Sequence, residues 1–312
     1  MKVAITGASG YLGRKVVSVL EGEPAVSHVL GIDLAPPSLS SPKLTFARMD
    51  VRSPNMAVSL RSAGIDCLVH LAWIFNPSHN HRLMFDVNVN GTRNVMAACL
   101  QAGVKHFVMV GSTTCYGAYA DNPPLLTEDA PLRGNPSFPY ARHKVLVEGL
   151  CDDFERENPQ VCLTRLRTCI VLGRNVDNFV RSLVLIRGLR HIQVKGHNPP
   201  LQFLHEDDFA SLLRLVLLRR TRGIFNVAPD DAVSVQEIAE MSHNRIYKYP
   251  YWLVRPLAGL LWFLRLLPTP ASYLPFVAYP WTASNAKAKT ELGWQPLYSS
   301  REALASVPGM GS

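Results

Sequence analysis

Short apolar runs alternate with segments of helical period through the first half of the chain. Residues 3–6, 28–33, 67–71 and 106–110 are apolar almost throughout. Continuous rather than alternating apolarity is the pattern of parallel strands covered by helices on both faces. Between them, residues 11–20, 54–63, 83–102 and 137–157 carry apolar positions at helical spacing. Strand and helix in alternation predict an α/β fold, a doubly wound parallel sheet of the Rossmann kind. Residues 161–171 are expected to add a further strand.

Beyond Gly173 the pattern loosens. Helices are expected over 178–189 and 207–218, with a short strand over 224–227. Residues 250–281 are apolar and studded with prolines. The chain therefore divides into a Rossmann domain, residues 1–173, and a smaller substrate-binding region, residues 174–312. Within the latter, 201–230 is expected to return and pack on the sheet. There is no internal repeat and no low-complexity linker.

Composition narrows the class. The chain has 312 residues, enough for a sizeable core, and 47% are hydrophobic, so disorder is excluded. The net charge is +8, yet no dense basic run accompanies it. Arg219, Arg220 and Arg222 follow an apolar helix and read as its solvated end. A mildly basic enzyme with an anionic small ligand explains the charge more simply than nucleic-acid binding. The six cysteines form no Cys-x-x-Cys pair, and several sit in apolar strings. The first five residues already read as a strand, so no secretory leader is expected. A reducing, cytoplasmic compartment is the expectation. His79 and His81 lack further ligands at suitable spacing, so they read as loop histidines and no metal is expected.

The joint between the first strand and helix carries the first chemistry. It reads Thr6-Gly7-Ala8-Ser9-Gly10-Tyr11-Leu12-Gly13. Gly7, Gly10 and Gly13 permit a tight turn and let backbone amides approach a pyrophosphate, which the helix N-terminus favours electrostatically. Ser9, Tyr11 and Leu12 lie in the same loop and join the cofactor-binding set. Asp33 ends the second strand, about 20 residues beyond the last glycine, where a carboxylate meets the adenosine ribose. It would repel a 2′-phosphate, and no arginine follows it directly, only Leu34-Ala35-Pro36-Pro37, so NAD is expected over NADP.

Tyr140 and Lys144 stand four residues apart on an expected helix and so share a face. A free tyrosine, with a pKa of about 10, is a poor base near neutrality. A neighbouring ammonium would lower that value and fit the phenol to move a proton on a substrate hydroxyl. Ser112 closes the strand before this helix, at the sheet end where α/β proteins bind ligands.

In order and spacing these motifs resemble the extended short-chain dehydrogenase/reductase family, the NAD-dependent epimerases and dehydratases. The resemblance runs from Met1 to about Pro296. It includes the glycine loop, Asp50-Val51, His70-Leu71-Ala72, Asn88, the run Gly111-Ser112-Thr113-Thr114-Cys115-Tyr116-Gly117 and Tyr140-Ala141-Arg142-His143-Lys144. His205-x-x-Asp208 and Glu291-Leu292-Gly293-Trp294-x-Pro296 complete it. The resemblance implies that Ser112 holds the substrate oxygen, with Thr113 or Thr114 as understudies, and that Lys144 also contacts the nicotinamide ribose. It implies that Asp50 and Val51 border the adenine, Leu71 and Ala72 the cofactor backbone, and that Asn88 lies behind the site. Asn88 reads equally well as a polar residue of a helix interior. His205 and Asp208 read as structural, and His70 as a satisfied core histidine. Family members pair through two long helices, so a homodimer is implied, with Val145, Leu146, Leu150 and Phe154 either on the pairing face or facing their own sheet.

The sequence also departs from the sugar-nucleotide members. Ile170 stands where they carry an asparagine, and Leu201 where they place a diphosphate-gripping arginine. Asn178 keeps a piece of that pattern and is a substrate candidate. Arg181, Arg187 and Lys195 offer substitute charge or a solvated helix face. Residues 249–281 are the most apolar stretch, with a helix expected from Pro256 to Leu267 and Pro256 at its start. Arg255, Arg265 and six prolines prevent a membrane span. Core packing, a dimer contact, or a lid over a lipophilic substrate resting on a membrane surface all fit. The last agrees with the lost polar anchors and with the sterol-oxidising members of the family. The leading expectation is an NAD-dependent oxidoreductase or epimerase of a secondary alcohol or ketone. A nucleotide-sugar epimerase or dehydratase is the alternative. A non-catalytic NAD-binding regulator is the third reading, disfavoured because Tyr140 and Lys144 are both present.

Overall fold

The computed structural model describes residues 1–177, 179, 181 and 191–310. Asn178, Arg187 and most of the helix expected over 178–189 fall outside the described residues. The first half alternates as the pattern dictates: β1 (Lys2–Thr6), α1 (Tyr11–Glu21), β2 (His28–Asp33), β3 (Leu44–Arg48), α2 (Met56–Ala63) and β4 (Cys67–His70). Next come α3 (His81–Phe85), a π-helical turn over Asp86–Asn90, α4 (Gly91–Ala102), β5 (His106–Ser112), α5 (Pro139–Glu157) and β6 (Cys162–Thr168).

Seven strands form one sheet in the order Gly223–Val227, β6, β5, β4, β1, β2, β3. Every neighbouring pair is parallel. The chain winds outward from β1 to β3, then crosses back to β4 and winds the other way. The order therefore reverses between β1 and β4, and ligands of open α/β sheets bind beyond the carboxyl ends of the strands at such a point.

Helices cover both faces. On one, Val16, Val17 and Leu20 of α1 meet Leu212, Leu213 and Val216 of the helix Glu206–Arg219. On the other, Leu60, Val95, Cys99, Cys151 and Phe154 of α2, α4 and α5 are buried. A further cluster sits above the carboxyl ends and joins α5 to the C-terminal region through Phe138, Leu201, Phe276 and Trp281. His205 caps the helix Glu206–Arg219, accepting from Asp207 N at 3.2 Å. Asp208 accepts from the backbone of Leu297 and Tyr298 at 2.8 and 3.0 Å, tying the chain's end to this helix.

The structure differs from the pattern in four places. β3 was not anticipated; Leu-Thr-Phe-Ala-Arg is half polar because it is the sheet's edge strand. The helix expected over 83–102 is broken by the π-helical turn, whose wider winding admits an extra residue. The strand expected over 161–171 ends at Thr168. Cys169 N turns to Val227 O at 3.1 Å, and Ile170–Leu172 pairs instead with Phe203–His205. The apolar helix runs Tyr251–Phe263 with Pro256 inside it rather than at its start. The N–H that proline lacks would have served the carbonyl of Trp252 on the exposed side, where water can replace it.

Candidate active site

The glycine loop is built by close approach. Gly7 has φ +75°, and a Cβ there would stand 2.8 Å from Ala72 N. A Cβ on Gly13 would stand 2.0 Å from Gly7 O. The loop thus presses on the segment after β4, where Leu71 N donates to Thr6 O at 3.1 Å and Ala72 N to Thr6 Oγ1 at 3.4 Å. Gly10 stands at the N-cap of α1 and brings no side-chain cap. The first amides of α1 are left for a ligand, and the dipole favours an anion there. Leu12 is half-buried behind the loop, and the Tyr11 phenol is buried beside Glu206.

Asp33 closes the rim. Its carboxylate accepts from Ser9 N at 3.0 Å and from Leu34 N at 2.7 Å. The Ser9 hydroxyl donates to Ala35 O, so the loop and the end of β2 form one edge. Arg14, in the first turn of α1, is occupied by Ser9 O at 2.6 Å and by Asp177, and Arg48 stands opposite Asp33 on the edge strand. Met49 N donates to Asp33 O at 2.9 Å, which sets Asp50 and Val51 just beyond that edge. Asp50 is paired with Arg52 at 2.6 Å, and Arg52 also with Asp86 at 2.6 Å. Val51 is buried against Gly91, where a Cβ would come within 2.6 Å of it.

A chain of hydrogen bonds runs beneath the loop. Thr6 Oγ1 lies 2.7 Å from His70 Nδ1, and His70 Nε2 lies 2.9 Å from Thr92 Oγ1, which donates to Asn88 O at 2.7 Å. Since Thr92 spends its hydrogen on Asn88 O, it accepts from Nε2, which carries the histidine proton, and the Thr6 hydrogen goes to Nδ1. Burial pushes the His70 pKa down to about 3, with Lys144 adding to the effect, so the ring is neutral. Asn88 spends its amide on Ile74, accepting from its N at 2.8 Å and donating to its O at 3.1 Å. It is fully buried and positions the 73–75 segment from behind.

Ser112, Tyr140 and Lys144 come together at the carboxyl end of β5. Thr114 donates to Ser112 Oγ twice, from its backbone N at 3.3 Å and its hydroxyl at 3.1 Å. Ser112 therefore has its hydrogen to give, and a bond from it to the Tyr140 oxygen draws the phenol pKa down. Burial outweighs that bond and holds the phenol above its ordinary value. Thr113 is fully buried, with its hydroxyl unpartnered. Lys144 Nζ donates to Val110 O at 3.0 Å and lies 3.3 Å from the centroid of Trp73, a cation–π contact. It is 5.5 Å from the Tyr140 ring centroid. Burial lowers its pKa to about 7, opposed by the carboxylate of Glu148. The expected lowering of the Tyr140 pKa by Lys144 is thus not met here: the ammonium is committed to Val110 and Trp73, and burial of the phenol dominates.

Two groups of residues were missed by sequence reasoning. Glu148, one turn beyond Lys144, is buried with Arg167 at 2.7 Å and Arg165 at 3.4 Å, and it pins α5 to β6. Its spacing of four from Lys144 was the available signal. The second group is an aromatic box. The rings of Phe75, Phe138 and Trp73 stand 5.2, 5.9 and 6.0 Å from that of Tyr140. Phe179 lies 4.9 Å from Phe75, and Tyr273 lies 4.4 Å from Phe138. Ile170 is half-buried and Leu201 buried in the same cluster.

A nucleotide cradle at the switch point, beside a Ser, Tyr and Lys at the end of β5, defines a Rossmann enzyme of the short-chain dehydrogenase type. Residues 3–228 match the NAD-dependent epimerase/dehydratase family, and the chain belongs to it. A protein of Frog virus 3 is 32% identical, over 97% of this chain and 96% of its own length. A Mycobacterium tuberculosis protein is 25% identical over 97% of this chain and 82% of its own. Among solved structures, MoeE5 in complex with UDP-glucuronic acid and NAD superposes with a TM-score of 0.78 at 25% identity, covering 98% of this chain and 97% of the other.

Proposed function

We propose that this protein is an NAD-dependent oxidoreductase or epimerase acting on a secondary alcohol or ketone of apolar character. The observation that carries the substrate reading is the aromatic box around Tyr140. A sugar diphosphate needs charged and hydrogen-bonding partners; Phe75, Phe138, Phe179 and Tyr273 offer ring faces and edges. Leu201 and Ile170 extend the same apolar lining.

The cradle fits a dinucleotide: Gly7 and Gly13 let the loop close tightly on itself and on the segment after β4, and the N-terminus of α1 carries no side-chain cap that would compete with a pyrophosphate. The uncapped first amides of α1, at Tyr11, Leu12 and Gly13, would hold the phosphates, with Gly7, Ser9 and Gly10 shaping the loop around them, and Asp33 would hold the adenosine ribose. NAD, when bound, supplies the hydride acceptor or donor. The chain supplies the proton chemistry. Tyr140, a protonated phenol in this environment, gives its proton to a carbonyl oxygen and recovers it from a hydroxyl in the reverse sense. Ser112, with its oxygen saturated by Thr114, donates to the same substrate oxygen. Lys144, buried and poised near neutrality, steadies charge as it builds on the phenol. The rings exclude water, so each of these bonds acts at low dielectric.

A nucleotide-sugar epimerase or dehydratase is the second reading, favoured by the overall likeness to MoeE5 in complex with UDP-glucuronic acid and NAD. The deciding experiment measures binding and turnover of UDP-sugars against hydrophobic alcohols and ketones, each with NAD or NADH present. Turnover of apolar carbonyl compounds with no UDP-sugar binding is expected. Micromolar UDP-sugar binding with no affinity for apolar ligands would overturn the substrate reading. We also assign a homodimer through α5; of the four residues expected on its pairing face, Val145, Leu150 and Phe154 pack into this chain's own core, and Leu146 remains exposed for the contact.

A further inference from the structure

We propose that residues 251–267 seat on the surface of an anionic lipid bilayer. The helix Tyr251–Phe263 was open to two packings, buried or naked, and it is naked over most of its length. Among its residues only Val254 is buried. Trp252 is 75% exposed and Phe263 78%. Leu253, Leu257, Leu260 and Leu264 are exposed as well. At about 100° per residue these six side chains occupy one arc of about 140°, and Pro256 is the other member of that arc.

The opposite side faces the protein. Trp262 stacks on His79 with centroids 4.0 Å apart and planes 11° apart. Gly259 approaches Ala271, a Cβ on it standing 4.0 Å from Ala271 Cβ. An apolar face of this extent, left uncovered, marks an interaction surface. No helix among the described residues is long and apolar enough to cross a membrane. The geometry is instead that of a helix lying in the interface plane.

Charge selects the occupant. Residues 241–290 contain no aspartate or glutamate. Arg245, Lys248, Arg255 and Arg265 are all exposed along this stretch. Cations beside an exposed apolar arc, with no acid among them, complement anionic headgroups above acyl chains, and each adds about fivefold near such a surface. A protein partner would equally bury the arc, but nothing in its apolar side chains calls for uniform positive charge around them. The assignment stands whatever substrate the catalytic site takes.

The test is sedimentation of the full-length protein with unilamellar vesicles of phosphatidylcholine alone and of phosphatidylcholine with one quarter phosphatidylglycerol. Retention on the anionic vesicles, weakened by salt and far weaker on neutral ones, is expected. Trp252→Ser with Phe263→Ser should lower the partition coefficient roughly a hundredfold, about tenfold per ring withdrawn from the interface. Their exposure predicts an unchanged melting temperature. Arg255→Gln with Arg265→Gln removes the anionic preference without touching the apolar arc, and so tests the proposal even if the first pair fails to fold. Absence of retention on both vesicle types would overturn it. Equal, salt-insensitive retention on both would overturn the anionic assignment. A dimer that the Trp252 and Phe263 pair dissociates, with no vesicle binding, would assign the face to a second copy.

Discussion

Replacing Lys144 with methionine should stabilise the protein while removing its activity. The ammonium is almost wholly buried, and its pKa falls from 10.5 to about 7, chiefly through burial. At about 1.4 kcal/mol per unit, the charged form costs the folded state about 5 kcal/mol. Below pH 7 the lysine is charged in both folded and unfolded chains, and the folded state bears the whole cost. Between pH 7 and 10.5 the unfolded chain holds a proton that the folded one lacks, so stability climbs with pH at about 1.4 kcal/mol per unit. Above 10.5 the cost is gone. Methionine matches the stem of lysine and cannot ionise. It forfeits the bond to Val110 O and the contact with Trp73, so the net gain at low pH is below the full figure. Urea denaturation of both proteins, stripped of nucleotide, gives the difference at each pH. The advantage of Lys144→Met should shrink by about 3 kcal/mol between about pH 6 and about pH 9. Other titrating groups, Tyr140 included, are common to both chains and cancel. A difference constant across that range would refute the reasoning.

Tyr140→Phe should lower turnover by at least about 10²-fold and leave the NAD dissociation constant unchanged, whereas Lys144→Ala should impair both; turnover and nucleotide titration check this. Asp33 predicts a tighter dissociation constant for NAD than for NADP, and Asp33→Ala should narrow the gap; equal affinities in the wild type would refute it. His106, buried beside Thr164 with its pKa pushed down to about 4, must be charged on unfolding below its ordinary value. Its share of stability is present above pH 6.5 and drains away toward pH 4. His106→Gln should therefore flatten the acid limb of the stability curve by about 1.4 kcal/mol per unit. Light scattering at micromolar concentration should give the mass of a dimer.

The sheet, the glycine loop and the Ser112, Tyr140, Lys144 set were legible because each is a local statement. Gly7, Gly10 and Gly13 lie within one turn, and Tyr140 and Lys144 within one turn of α5. The aromatic box was not legible, because Trp73, Phe75, Phe138, Phe179 and Tyr273 come from four separated segments and meet only in the fold. The partner of Asn88 was not legible either, since only the π-helical turn brings its amide to Ile74. β3 was hidden because an edge strand need not be apolar on both faces. The ionisation of Tyr140 depended on burial, which residue spacing does not report.

The bond pair between Asn88 and Ile74 fixes one point in a segment that serves two masters. On one side of that point Trp73 carries Lys144; on the other the chain runs out to His79 and the naked helix. The fixed point separates the proton chemistry from the molecule's outer skin. Substitutions in residues 251–267 can then accumulate without reaching Lys144. A lineage built on this chassis is free to exchange one surrounding medium for another by editing a single helix, while the machinery beneath is inherited intact.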